Sequence, residues 1–301
     1  MPSQPNHIHI APEVAAALAN KNPVVALEST VIAHGLPRPQ NLAVAVRLEE
    51  IVREAGAIPA TIAILHGALR VGIGKEELQF LAGSSDIRKI STRDLAIAVA
   101  QNWNGATTVA STAWIAHRAG VKVFATGGIG GVHRGPLPDI SADLPELSRT
   151  PMVVVCSGAK IVLDLPATRE WLETHGVTVA GFQCDEMPAF YSRRSGLPCD
   201  VRVDSAAEVA RVFAAQRELN IDSALLVTVP VPKEFEVPSE QLQTVLDKAL
   251  EDAEKANVAG RDLTPFLLSR MSQASEGATL RANIALLERN ARVAAEIAAA
   301  V

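Results

Sequence analysis

Residues 121–160 read VKVFATGGIGGVHRG, PLPDISADLPELSR and TPMVVVCSGAK in succession, and this stretch decides the fold. Two runs, Val121–Ala125 and Met152–Cys156, are continuously apolar and rich in β-branched residues, the pattern of strands buried on both faces of a parallel sheet. Between them stand Gly127, Gly128, Gly130 and Gly131, then His133, Arg134 and Gly135, then Asp139 and Asp143. The second run delivers the chain into Ser157-Gly158-Ala159-Lys160. Glycine-rich backbone after a strand lets a ligand approach closely, and its N–H groups suit a phosphate. A lysine just past a buried strand is placed to be partly desolvated, which favours the neutral, nucleophilic amine. The stretch therefore reads as a phosphate cradle beside an amine.

Working outward, the flanking segments alternate strand and helix. Val24–Glu28 is a strand that ends on a carboxylate, residues 42–55 carry a helical period, and Ala60–Leu65 is a second strand. Lys75–Leu81 and Asp94–Gln101 read as short helices, the latter opened by a capping box from Ser91 to Asp94. Asn104–Thr108 reads as the loop that opens a helix over Val109–Arg118. Downstream, strands are expected at Val177–Phe182, Val201–Val203 and Ala224–Val229, with helices at 167–175 and 206–218. The last third is helical: 239–257, then 264–274 with Thr264 as cap, then 279–300, where Asn283 sits on the edge of an apolar stripe. Alternation of this kind gives an α/β fold with a central mixed, mostly parallel sheet. Residues 1–12 are polar and proline-bearing and read as a loose arm, leaving 13–301 as one domain.

The composition narrows the function classes. The chain has 301 residues, is 48% hydrophobic and only 4% aromatic, so its core is built from Ala, Val, Ile and Leu. A net charge of −5 without a basic run argues against a long nucleic acid as partner. No apolar run approaches the ~20 residues of a membrane helix. Three widely spaced cysteines, Cys156, Cys184 and Cys199, suit reduced thiols and a cytoplasmic protein better than a disulfide framework.

Residue types alone leave several roles open. Lys160 is either a nucleophile or a surface lysine that follows a strand. Asp139 and Asp143, four apart, could share one face of a helical turn and hold a hard cation such as Mg²⁺ or Mn²⁺, or could be turn and capping residues. Burial at the end of a strand would raise the pKa of Glu28 into acid–base range, but the same carboxylate could cap the next turn. Lys89, His133 and Asn283 each have a structural alternative of equal weight. Zinc protease and serine hydrolase chemistry lack any motif here: there is no H-E-x-x-H, C-x-x-C or G-x-S-x-G.

The strings themselves carry more. VVALESTVIAHGLPRPQN, PATIAILHG, KISTRDL, GGIGGVHRG, DISADLPEL, VVVCSGAK and TPFLLSR, in this order, closely resemble the pseudouridine-5′-phosphate glycosidase family from about residue 14 to the C-terminus. The resemblance implies a lyase that reversibly cleaves the C–C glycosidic bond of pseudouridine 5′-phosphate to uracil and ribose 5-phosphate. It implies Lys160 as the Schiff-base nucleophile and Glu28 as the proton donor. Lys89, Val109, Ser141, Ala142 and Asp143 match substrate contacts, His133 and Asn283 match residues lining the same pocket, and Asp139 matches the ligand of a Mn²⁺ ion. An α/β/α sandwich assembled as a homotrimer is also implied. Three places depart from the family pattern: a short Pro136-Leu137-Pro138 loop, Val229 where an asparagine is usual, and Ser157 where alanine is common.

Overall fold

The computed structural model describes residues 7–134, 139–256, 258, 260 and 263–301. The strands in chain order are β1 (Ile8–Ile10), β2 (Val24–Leu27), β3 (Ile58–Leu65), β4 (Ala68–Val71), β5 (Arg88–Ile90), β6 (Gly105–Thr107) and β7 (Val123–Ala125). They continue with β8 (Val132–His133), β9 (Val153–Cys156), β10 (Leu163–Asp164), β11 (Thr178–Phe182), β12 (Val201–Val203) and β13 (Leu225–Thr228). One 11-stranded sheet runs in the order β1-β4-β3-β2-β7-β9-β13-β11-β12, with β6 and β5 branching from β3. From β3 to β12 every neighbouring pair is parallel. Within this sheet only the pairings of β3 with β4 and with β6 are antiparallel, and β8 and β10 form a separate antiparallel pair. The fold is a single α/β/α domain around a mixed, mostly parallel sheet, as the alternation predicts.

The central strands hold this position because their sequences have no polar face to expose. All four residues of β2 and all four of β9 are buried, as a strand covered by helices on both sides demands. Ala278–Ala300 crosses the middle of one face against β2, β7 and β9, flanked by the helices Gln40–Glu54 and Ala206–Glu218. Val109–Arg118 packs on the opposite face, against β2 and β3. The chain leaves β2 for β3 on one side, while β7 is followed by β9 on the other. Crevices open at the carboxyl ends of parallel strands where connections diverge in this way. Here that place is the ends of β2, β7 and β9.

Several expectations need correction. The second half of the supposed arm is not loose: β1 pairs in parallel with β4 and its Ile8 is buried. Residues 1–6 lie outside the described residues, as does the Pro136–Pro138 loop. Residues 105–107 form β6 rather than a loop, because the small Gly105 sits against the Ile90 side chain, which an added Cβ would meet at 2.2 Å. Thr264 is no cap, since its helix is already formed from Leu263. Asp139 and Asp143 do not share a helical face: Asp143 is the first residue of a helix over Asp143–Leu147, whereas Asp139 precedes it in extended backbone whose carbonyl accepts the His133 N–H at 2.8 Å.

Candidate active site

The site is assembled at the three strand ends. β2 and β7 pair in register, Leu27 beside Ala125, so the next residues, Glu28 and Thr126, emerge side by side. The Thr126 hydroxyl donates a hydrogen bond to the Glu28 carboxylate. Glu28 is buried, and loss of hydration pushes its pKa up. The Lys160 charge and the Thr126 bond oppose that rise, Asp143 adds to it, and Lys89 opposes it weakly. The outcome is a carboxyl group biased toward its protonated, proton-donating form. Beyond it, Val31–Gly35 is a π-helical turn, a widening of the backbone that is frequent at functional sites. It turns Thr30 and His34 toward the same space.

Lys160 is carried by a turn after β9 that lies along the glycine loop after β7. The Ser157 N–H donates to the Gly127 carbonyl at 2.9 Å, Ile129 N–H to the Gly158 carbonyl at 3.1 Å, and Lys160 N–H to the Ile129 carbonyl at 3.1 Å. Gly158 has a positive φ of 81°, and a Cβ there would stand 2.0 Å from the Pro188 carbonyl oxygen. Only glycine fits both constraints. Cys156, two residues before it, is fully buried and its thiol is pushed up to about 12, which rules it out as the nucleophile.

Asp143 ties the loop to the helix opposite. Its Oδ1 accepts the Ala110 N–H at 2.9 Å and its Oδ2 accepts the Gly130 N–H at 2.8 Å, with the side chain buried. Gly130 has no room for a side chain, since an added Cβ would meet Ser141 Oγ at 2.2 Å. The amino end of Val109–Arg118, capped by Thr108, faces the same space, so its first amide groups and the positive end of the helix dipole point there.

These elements enclose a cavity of about 390 Å³. Every residue expected at the site lines it: Glu28, Lys89, Val109, His133, Asp139, Ser141, Ala142, Asp143, Lys160 and Asn283. Residues as far as 255 apart in sequence, Glu28 and Asn283, are thus brought to one place. Ser91, expected only as a helix cap, lines it too, as do Arg93, Thr108 and Phe190, for which no role was expected. The signal for Ser91 was visible but misdirected: Asp94 does accept the Ser91 N–H at 3.0 Å, yet Ser91 Oγ is buried without a hydrogen-bond partner among the described residues. Nothing in the sequence marked Phe190, whose ring packs on Gly128.

The comparisons with known proteins decide the family. A family model described as "Indigoidine synthase A like protein" matches residues 13–300. The pseudouridine-5′-phosphate glycosidase of Solibacter usitatus is 50% identical over 294 residues, covering 97% of this chain and 98% of its own. That of Escherichia coli is 49% identical over 297 residues, covering 98% and 95%. The chain belongs to this family of enzymes. Two solved structures agree with it over nearly their whole length. Prealnumycin C-glycosynthase in complex with ribulose 5-phosphate superposes with a TM-score of 0.90 at 39% identity, covering 98% of this chain and 97% of its own. An indigoidine synthase A-like protein of Thermotoga maritima superposes with a TM-score of 0.89 at 40% identity, covering 97% and 95%.

Within the glycosidase family frame, two departures of this chain, Val229 and Ser157, lie outside the cavity lining. Val229 is fully buried, does not line the cavity, and donates its N–H to the Cys156 carbonyl at 2.8 Å. A polar group missing there is missing from the core. Among the described residues, no group of three or more His, Cys, Asp or Glu side chains gathers into a metal cage. Asp139 is exposed and lines the cavity, which fits a hard cation that takes one protein carboxylate and fills its remaining sites with water. No helix among the described residues is long and apolar enough to cross a membrane.

Proposed function

We propose that the protein reversibly cleaves pseudouridine 5′-phosphate to uracil and ribose 5-phosphate, with Lys160 as the nucleophile and Glu28 as the proton donor. The observation that carries this reading is the joint presence of a buried, proton-biased Glu28 and Lys160 in one cavity. Uracil C5 is a poor carbanion, so the bond to C1′ breaks readily only if electrons have somewhere to go and the carbon is protonated as it leaves. Neutral Lys160 Nζ bonds to C1′ as the C1′–O4′ bond breaks, and the proton that the nitrogen then sheds goes to O4′, leaving the nitrogen its lone pair. The nitrogen pair then forms C=N while the C1′–C5 bond breaks, and its electron pair takes the Glu28 proton at C5. Water hydrolyses the imine, returning the amine and releasing the sugar aldehyde.

In this reading the phosphate is taken up by cationic and amide groups of the same cavity. Lys89 and Arg93 supply charge, the capped helix start at Thr108–Val109 supplies amide donors, and the unsatisfied Ser91 hydroxyl has a donor to give. Ser141 and Ala142, held by the Ser141 N–H to the Gly131 carbonyl at 2.9 Å, line the same cavity and serve as substrate contacts in this reading. Asn283 and His133 present polar groups for the uracil and the sugar hydroxyls. A divalent cation, Mn²⁺ by family resemblance, would be held by Asp139 and would supply positive charge to anionic oxygen nearby. A homotrimer and a cytoplasmic location belong to the same reading, the latter supported by three free thiols.

The test is direct. Folded protein supplied with Mn²⁺ and pseudouridine 5′-phosphate is expected to release uracil. No release under those conditions contradicts the reading.

A further inference from the structure

We propose that Asn290 is a positioning residue for catalysis, clamping the ends of β7 and β9 so that Thr126 is aimed at Glu28 and the Lys160 turn is held beside it. The inference rests on the catalytic roles proposed above for Glu28 and Lys160. Asn290 is 1% exposed and does not line the cavity. It stands on the Ala278–Ala300 helix seven residues after Asn283, on the same face and two turns further from the substrate.

Its amide is fully employed. Nδ2 donates to the Thr126 carbonyl at 2.8 Å, to Ser157 Oγ at 3.1 Å and, more weakly, to the Gly127 carbonyl at 3.4 Å. Its Oδ1 lies 3.3 Å from Ser157 Oγ, within reach of that hydroxyl's proton. Backbone carbonyls only accept, so the orientation of this amide is fixed by what it touches. Beyond the last ladder residues, Ala125 of β7 and Cys156 of β9, backbone bonds still join the two ends, Thr126 N–H to the Val155 carbonyl at 3.0 Å and Ser157 N–H to the Gly127 carbonyl at 2.9 Å, while the Thr126 carbonyl is taken by Asn290. One side chain therefore adds a second tie, beside the backbone bonds, between the residue that bonds Glu28 and the turn that carries Lys160. Ser157, where the family commonly has alanine, gives this chain a second arm to the clamp.

The prediction separates positioning from simple core repair. The groups that face Glu28 are Thr126, Lys160, Asp143 and Lys89. Of these, Thr126 has its backbone carbonyl held by Asn290. In Asn290→Ala, Thr126 loses its aim and the bond that favours the Glu28 carboxylate weakens. The Glu28 titration should then move to higher pH by about one pH unit, as it should in Thr126→Val.

The experiment follows the Glu28 carboxyl by NMR in protein carrying ¹³C-labelled glutamate, with Glu28→Gln used to assign the signal, alongside uracil-release kinetics. Asn290→Ala is expected to shift the titration upward and to lower kcat at least tenfold with KM within about twofold. The Asn290→Ala, Thr126→Val double variant is expected to be no worse than the poorer single variant. Asn290→Ser serves as a milder second substitution. An unmoved Glu28 titration, additive losses in the double variant, or kcat falling only with the folded fraction overturns the proposal. So does failure of both position-290 variants to fold, which would make the residue structural. If the wild type releases no uracil, the assigned activity fails, while the titration still decides the clamp.

Discussion

Thr126 donates its hydroxyl proton to Glu28 from the adjoining strand end, a contact set by the pairing of Leu27 with Ala125 one residue earlier. The sheet register itself therefore builds the acid. A one-residue slip of either strand would turn one of the two side chains to the other face.

Glu28→Gln keeps the shape of the side chain but removes its proton, and turnover should fall by ~10²-fold or more. Steady-state uracil release checks this, and near-wild-type turnover would remove Glu28 from the mechanism.

The same variant should respond to pH in the opposite sense for stability. Burial raises the folded-state pKa of Glu28 above its unfolded value of 4.5, so between the two values the folded state holds the extra proton. Stability from this group is then full below the unfolded pKa and is lost as pH rises through the folded one. Glu28→Gln removes that loss. Its melting temperature relative to wild type should be higher at pH 8 than at pH 4, and thermal melts across that range would show it.

Asp143→Ala should cost about 2–4 kcal/mol, because the Ala110 and Gly130 N–H groups lose their acceptor in a buried place. Denaturant melts measure the loss. An unchanged midpoint would mean that water takes over both bonds.

Asp139→Ala should leave the fold intact, since the carboxylate is exposed and outside the core. The Mn²⁺ concentration for half-maximal activity, measured after chelator treatment, should rise by ~10-fold or more. An unchanged metal response would place the cation elsewhere.

Much of this site was legible because chemistry and strand ends coincide. Glu28 and Lys160 each follow an unbroken apolar run, which a period-free strand pattern exposes to inspection. Four short strands, β1, β4, β5 and β6, were not legible, because their three or four residues mix polar, small and apolar types where β2, β7 and β9 are unbroken apolar runs. The Asp139–Asp143 pair misled because spacing by four implies a shared face only inside a helix, and the helix starts at Asp143. Asn290 was silent for another reason. A polar residue among buried helix positions shows its purpose only when the two strand ends above it are in place.

The most direct measurement is to incubate the protein with ribose 5-phosphate, reduce with borohydride and map the modified peptide by mass. The account predicts a reduced sugar-phosphate adduct on Lys160 that disappears in a folded Lys160→Ala variant. Bound ribose 5-phosphate with no adduct, or an adduct on another lysine, would contradict it.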